Sequence, residues 1–200
     1  MVARCVFLHG NMDRFVQDPN LEIHGEIIEQ ARKGVESAFE KLYRLYHRSM
    51  YNTALRITAN RTEAEDVLQE SFINAFKNLN SFRGDSTFGA WLKRIVVNNS
   101  LNAIRKNNPE RWTDEMDQIP DEIFSQERSH FPFSVAQVHQ AILQLADGYR
   151  TVLSLYLIEG YDHEEISQIL KIDENTSKSQ LSRAKKKLIQ LLNQNYKRNE

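Results

Sequence analysis

Between Gly160 and Leu188 two short amphipathic helical patterns meet at a tight polar turn. Asp162 with Glu165 three residues later makes a capping box at the start of the first pattern, which turns Ile166, Ile169 and Leu170 inward. After a turn over Lys171 to Glu174, Asn175 or Thr176 starts the second pattern, held by Leu181, Ala184, Leu188, Leu191 and Leu192. Its opposite positions, Lys178, Ser179, Gln180, Arg183, Lys186 and Lys187, are expected to face out. Two helices joined this way read as a helix-turn-helix, whose second helix lies in a DNA major groove. A basic face on a surface helix is most often only solvated, but on this second helix DNA contact is the favoured reading.

The rest of the chain must explain what else such a reader carries. Two hundred residues, 40% of them apolar, suffice for one large domain or two small ones. No apolar run approaches the roughly 18 residues that cross a bilayer, and no cleavable signal stands at the N-terminus, so a cytoplasmic protein is expected. Cys5 is the only cysteine, which rules out an internal disulfide and a cysteine zinc cluster. The net charge of -1 is poor evidence against nucleic acid, because electrostatic footprints are local and here the charges are segregated.

Residues 1–20 have no clear periodicity and are read as a tail, in which Met12 offers a second translation start. A short helix is expected from Leu21 to Lys33, ended by Gly34. From Glu36 to Ile57 a broad apolar stripe through Phe39, Leu42, Tyr46, Met50 and Ala54 reads as core filling. Thr62 with Glu65 suggests a capping box and a helix from Glu63, with Val67, Leu68, Phe72, Ala75 and Phe76 inward. Asp66, Gln69, Glu70, Ile73 and Asn74 are left outside, as a solvated face or as a surface for a partner.

Ser81 to Asp85 breaks the helical period, with Gly84 permitting a turn. Asp85 or Ser86 is expected to cap a helix from Thr87 to about Lys106. Phe88, Trp91, Leu92, Ile95, Val96 and Ile104 can pack inward, and Lys93, Arg94, Asn98, Asn102, Arg105 and Lys106 lie on the other side. Asn98 and Asn102 project from one face a turn apart. Amides read base edges and aromatic faces stack on unpaired bases, so amides beside cations and a Phe-bearing loop are a candidate nucleobase site, although two surface asparagines alone carry little.

The composition then changes. From Glu110 to Arg128 seven acidic residues face two basic ones, and Pro109, Pro120 and Pro132 punctuate the segment. Proline and charge repulsion argue for an extended acidic linker, an inert tether or a mimic of nucleic acid, between two helical domains. The fold class is therefore all-α. The expected division is a tail over 1–20, a first domain over 21–106, a linker over 107–133, a helix-turn-helix domain over 134–193 and a C-terminal tail over 194–200. Within the second domain, Val135, Val138, Ile142 and Leu145 form one pattern, Asp147 and Gly148 a break, and Tyr149 to Glu159 a helix ended by Gly160.

Taken together these stretches resemble bacterial RNA polymerase sigma factors of the extracytoplasmic-function type, over about Glu26 to Leu192. Asp66-Val-Leu-Gln-Glu-Ser-Phe is similar to the family's polymerase-binding helix. Ser81-Phe-Arg-Gly-Asp-Ser-Thr-Phe-Gly-Ala-Trp-Leu-Lys-Arg-Ile, followed by Asn98, is similar to the loop and helix that capture a flipped base of the minus-ten element. Thr176-Ser-Lys-Ser-Gln-Leu-Ser-Arg-Ala is similar to the minus-35 recognition helix. Two departures stand out: Gln180 occupies a position where many members have Arg, and Ala146 one where proline is frequent.

The resemblance implies a sigma-2 and a sigma-4 domain, and promoter-specific initiation together with core RNA polymerase. Asp66, Gln69, Glu70, Ile73 and Asn74 would dock on the beta-prime clamp helices, with the beta subunit also in contact. Phe82, Arg83, Asp85, Ser86, Phe88, Lys93, Arg94, Asn98 and Asn102 would serve the melted minus-ten strand, with Trp91 as core support or contributor. Thr176, Lys178, Ser179, Gln180, Arg183 and Lys186 would serve the minus-35 duplex. An anti-sigma factor is an expected partner, whereas a cofactor, a metal, a small-molecule substrate and direct membrane insertion are not. The competing reading is a helix-turn-helix regulator that never docks on polymerase. Catalysis has little support, because His163-Glu164-Glu165 lacks the second His of a zinc helix and no phosphate loop accompanies Asp66 and Glu70.

Overall fold

The computed structural model describes residues 19–107 and 133–198, and among them every regular element is helical. The expected N-terminal tail up to residue 18 and the linker from 108 to 132 lie outside the described residues. The first domain comprises α1 (Pro19–Arg32), α2 (Glu36–Thr58), α3 (Arg61–Lys77), a 3-10 turn (Leu79–Ser81) and α4 (Phe88–Asn107). The second comprises α5 (Val135–Leu143), α6 (Asp147–Leu157), α7 (His163–Leu170) and α8 (Glu174–Arg198). No helix among the described residues is long and apolar enough to cross a membrane.

Helices α2, α3 and α4 pack on one another, and α1 lies across α2 against the 3-10 turn. Leu42, Met50, Ala54, Val67, Leu68, Phe72, Phe88, Leu92 and Val96 fill the space between them. In the second domain α5, α6 and α7 each pack against α8.

Local chemistry explains the boundaries, and several differ from the expected ones. Helix α3 is capped by Asn60, whose side-chain oxygen accepts from the amides of Thr62 (2.9 Å) and Glu63 (3.3 Å), so the Thr62–Glu65 box is not the one used. Thr87 Oγ1 accepts from Ala90 N at 3.2 Å and caps α4, in place of Asp85 or Ser86. Asp147 and Gly148 open α6 instead of breaking a helix, because an acidic first turn suits the positive end of the helix dipole. Ser134 and Gln137 form a reciprocal capping box on α5, and Asp162 and Glu165 do the same on α7, the latter as the spacing predicts. Helix α8 continues through Arg198, past the point read as a tail, and Asn195 Nδ2 reaches Gln144 Oε1 at 3.4 Å.

The two domains are packed together. Ile57 of α2 and Val97, Leu101 and Ile104 of α4 share one apolar cluster with Ile142, Leu145, Val152, Leu153, Leu155 and Ile166. Helix α6 rests on α2. Helix α4 is therefore buried on two sides, one for its own domain and one for its neighbour.

Candidate nucleic-acid interface

The inward side of α3, with Ala64, Val67, Leu68, Ser71, Phe72 and Ala75, is consumed by the first core. Helical geometry then sends positions 66, 69, 70, 73 and 74 the other way. Asp66, Gln69, Glu70 and Ile73 are exposed and Asn74 is half-buried, so all five reach one surface. Ile73 keeps 52% of its area in water, an apolar centre ringed by carboxylates and amides.

The segment between the 3-10 turn and α4 is an arc pinned at both ends. Phe82 and Phe88 are buried, while Arg83, Gly84, Asp85, Ser86 and Thr87 between them are exposed. The Phe82 ring meets Trp91 at 5.4 Å and Phe88 at 5.8 Å between centroids, and the Phe82 carbonyl accepts from the Arg32 guanidinium. Gly84 takes φ 80, the left-handed conformation that a tight turn needs and that other residues resist. Phe88 is backed by the Tyr46 ring at 5.3 Å. A Cβ added to Gly89 would lie 2.8 Å from Tyr46 Cε1, so the glycine is what lets that ring approach α4. Burial raises the Tyr46 phenol above its ordinary value, and its hydroxyl is held by His24 Nδ1 at 2.7 Å. Phe82 and Phe88 are thus buried at the two ends of the arc and hold it from beneath, and Trp91 is half-buried in the same aromatic group.

Along α4, Arg94, Asn98 and Asn102 are exposed, and Asn99 turns inward to bond Ser71 Oγ at 3.0 Å. Lys93 is different. It is half-buried, and its Nζ lies 3.0 Å from Glu159 Oε2, a carboxylate of the second domain.

The helix-turn-helix is assembled by short-range bonds. Lys171 at φ 60 turns the chain between α7 and α8, and His163 Nδ1 meets Ser177 Oγ at 2.9 Å across the pair. Lys178 and Ser179 are exposed, with Lys178 reaching back to Glu174 at 2.6 Å; Thr176, Arg183 and Lys186 are half-buried. Gln180 does not face out as expected. It is 7% exposed, because positions 177, 180, 181 and 184 share the stripe that α8 turns toward α6. Its amide lies beside Gly148, where an added Cβ would stand at an ordinary contact distance of 3.9 Å from Gln180 Nε2.

Four residues that carry the junction between domains escaped the sequence reading. Arg150 is 2% exposed, and its Nε and Nη2 donate to the carbonyls of Arg56 (3.0 Å) and Ile57 (2.9 Å) at the C-terminal end of α2. Those carbonyls have no partner within the helix, and a cation also suits the negative end of the dipole. Arg150 additionally reaches Leu145 O at 2.7 Å and Asp147 Oδ1 at 2.5 Å. The Glu159 side chain, 4% exposed, is held by Arg56 and by Lys93, with Thr53 Oγ1 3.0 Å from its Oε1. Burial alone would raise the Glu159 carboxyl, but the hydrogen bonds and charges of Arg56 and Lys93 outweigh it and hold the group below its usual range. Burial raises Tyr161, with Glu159 and Glu165 adding to the effect and Arg94 opposing it. An arginine inside the apolar run Tyr149 to Tyr156 is the one signal that pointed to this junction; Glu159 left none.

Comparison with known proteins adds the family context. The model for Sigma-70 region 2 matches residues 42–110, and that for Sigma-70, region 4, matches residues 136–188. The RNA polymerase sigma-H factor of Pseudomonas aeruginosa is 33% identical over 171 residues, covering 80% of this chain and 89% of that protein. The ECF RNA polymerase sigma factor SigW of Bacillus subtilis is 33% identical over 178 residues, covering 80% and 92%. Among solved structures, CnrH in complex with the cytosolic domain of CnrY aligns with a TM-score of 0.52 at 25% identity, over 84% of this chain and 96% of that one. The sigma factor RpoE of Bartonella quintana, solved with the anti-sigma factor NepR, shares the fold with a TM-score of 0.54 at 23% identity, over 78% and 96%.

Proposed function

This chain belongs to the extracytoplasmic-function sigma factors of the sigma-70 family, which bind core RNA polymerase and direct promoter-specific initiation, and we propose how its residues divide that work. The exposed face of Asp66, Gln69, Glu70, Ile73 and Asn74 docks on the polymerase clamp helices. The arc Arg83 to Thr87, with Arg94, Asn98 and Asn102, takes the melted minus-ten strand. Lys178, Ser179 and Arg183 contact the minus-35 duplex, with Thr176 and Lys186 at its backbone, while Gln180 shapes the helix from inside.

The observation that best supports this reading is the arc itself. An exposed polar segment pinned between two buried aromatic residues is a preorganised cradle, so the cost of extruding a base, a few kcal/mol, is not compounded by ordering the loop. The chain makes and breaks no bond in this scheme. It acts in the cytoplasm, and an anti-sigma factor completes the partner set; the similar CnrH was solved bound to another protein, the cytosolic domain of CnrY. Family models over both domains favour this scheme over a regulator that never meets polymerase.

The test is reconstitution with core polymerase and transcription from a promoter mapped for this chain. Lys178→Ala and Arg183→Ala are expected to cut transcription several-fold while the sigma chain still co-purifies with polymerase. Loss of polymerase from both variants would overturn the assignment of α8.

A further inference from the structure

Arg56 on α2 and Lys93 on α4 bring their cations to one point of the first domain, with the Thr53 hydroxyl beside them. Among the described residues the ion-pair partner of both is Glu159, contributed by the other domain. Its two carboxylate oxygens are shared out, Oε1 to Arg56 and Thr53 and Oε2 to Lys93. When the domains part, the first domain keeps two convergent cations and a hydroxyl, and the anion leaves with the second.

Part they must on a promoter. Elements at minus-35 and minus-ten lie about 25 base pairs apart, or about 85 Å at 3.4 Å per pair. A compact chain of 200 residues has a radius of gyration of only about 17 Å. The 25 residues from 108 to 132 can reach about 85 Å if extended, so the covalent connection permits separation. Lys93 stands on the same helix as Arg94, Asn98 and Asn102, next to the path assigned to the strand.

We propose that Arg56, Lys93 and the Thr53 hydroxyl form a phosphodiester site for the melted promoter strand, and that Glu159 fills this site while the chain is closed. Carboxylate and phosphate are interchangeable partners for a guanidinium, since both accept paired N–H bonds in one plane. A buried ion pair gives little net stability, because desolvation offsets the attraction, so replacement of one anion by another is energetically accessible. The proposal rests on the minus-ten reading above and extends it to α2, whose Arg56 and Thr53 join Lys93 of α4, a residue the family resemblance already set beside the melted strand.

The test uses holoenzyme and the nontemplate strand of a promoter at which it initiates. Each phosphate contact contributes a slope of about 0.7 to the logarithmic salt dependence of single-strand binding. Arg56→Gln is therefore expected to weaken binding several-fold and flatten the slope by about 0.7, with Arg56→Lys restoring it; Lys93→Gln gives the same readout if Arg56→Gln fails to fold. Replacing phosphates one at a time by neutral methylphosphonates should reveal one linkage whose loss weakens wild-type holoenzyme but not the Arg56→Gln form. In the free chain, Glu159→Gln should bind the strand several-fold tighter than wild type, and Arg56→Gln should cancel the gain. Unchanged slope in both Gln variants, no linkage coupled to Arg56, or no gain from Glu159→Gln would overturn the proposal. A wild-type holoenzyme that initiates nowhere would instead overturn the functional reading itself.

Discussion

Helix α4 turns Phe88, Leu92 and Val96 toward α2 and α3, and turns Val97, Leu101 and Ile104, with Lys93 on the same stripe, toward the second domain. The two stripes differ by one residue in register, about 100° around the helix. They also differ in material. The first seam is apolar and aromatic, so its fit is a matter of shape and nothing in solution can replace it. The second joins an apolar patch to a guanidinium on helix-end carbonyls and a carboxylate between two cations. Charged partners have substitutes in water, in DNA and on other proteins, so the second seam can be exchanged where the first can only be broken.

Leu92→Ala attacks the first seam and should have the largest effect, a loss of about 3–4 kcal/mol from cavity formation in a site with no exposure. Urea unfolding of the first domain measures it; a loss below about 1 kcal/mol would mean that this seam collapses as readily as a surface.

Arg150→Met sharpens the contrast. It keeps much of the volume but strands the carbonyls of Arg56, Ile57 and Leu145, at a cost of about 3 kcal/mol to the closed arrangement. Small-angle scattering should show an expanded chain whose first domain unfolds at its wild-type urea midpoint. An equally compact variant would show that the apolar patch alone holds the domains.

The smallest effect is the response to acid. Arg56 and Lys93 hold the Glu159 carboxyl below its usual range, so its contribution to closure is fully present above about pH 4.3 and is lost as pH falls through the depressed value. The wild-type chain should therefore expand at lower pH than an ordinary carboxylate would dictate, while Glu159→Gln is already loosened at neutral pH and lacks that step. Identical acid profiles for the two chains would remove Glu159 from the account of closure.

The first seam was legible because helical periodicity repeats within a few residues: Phe88, Leu92 and Val96 recur at the expected interval, and Gly84 marks its turn. The second seam was not, because its bonds join residues 66 to 106 positions apart and leave no period to detect. Caps fell between these cases. Asn60 with Glu63 and Thr62 with Glu65 have the same spacing, and only the folded backbone decides that Asn60 receives the amides. Gln180 misled because its neighbours in the buried stripe include the polar Ser177, so polarity and burial part company on α8. The arc Arg83 to Thr87 was legible as a break, and Phe88 as an inward residue, because Gly84 and the helical period mark them locally; the Arg32 contact to the Phe82 carbonyl, 50 positions away, was not.

The first-domain oxygens that receive Arg150, those of Arg56 and Ile57, lie 94 and 93 positions away along the chain. At about 5–20 residues per second, a ribosome makes the end of α2 some 5–20 s before it makes Arg150. Until Arg150 and Glu159 are made, the first domain emerges with neither the Arg150 guanidinium at the end of α2 nor the Glu159 carboxylate beside Arg56 and Lys93. Each newly made molecule thus passes through a period in which its own second domain is not yet a competitor for them.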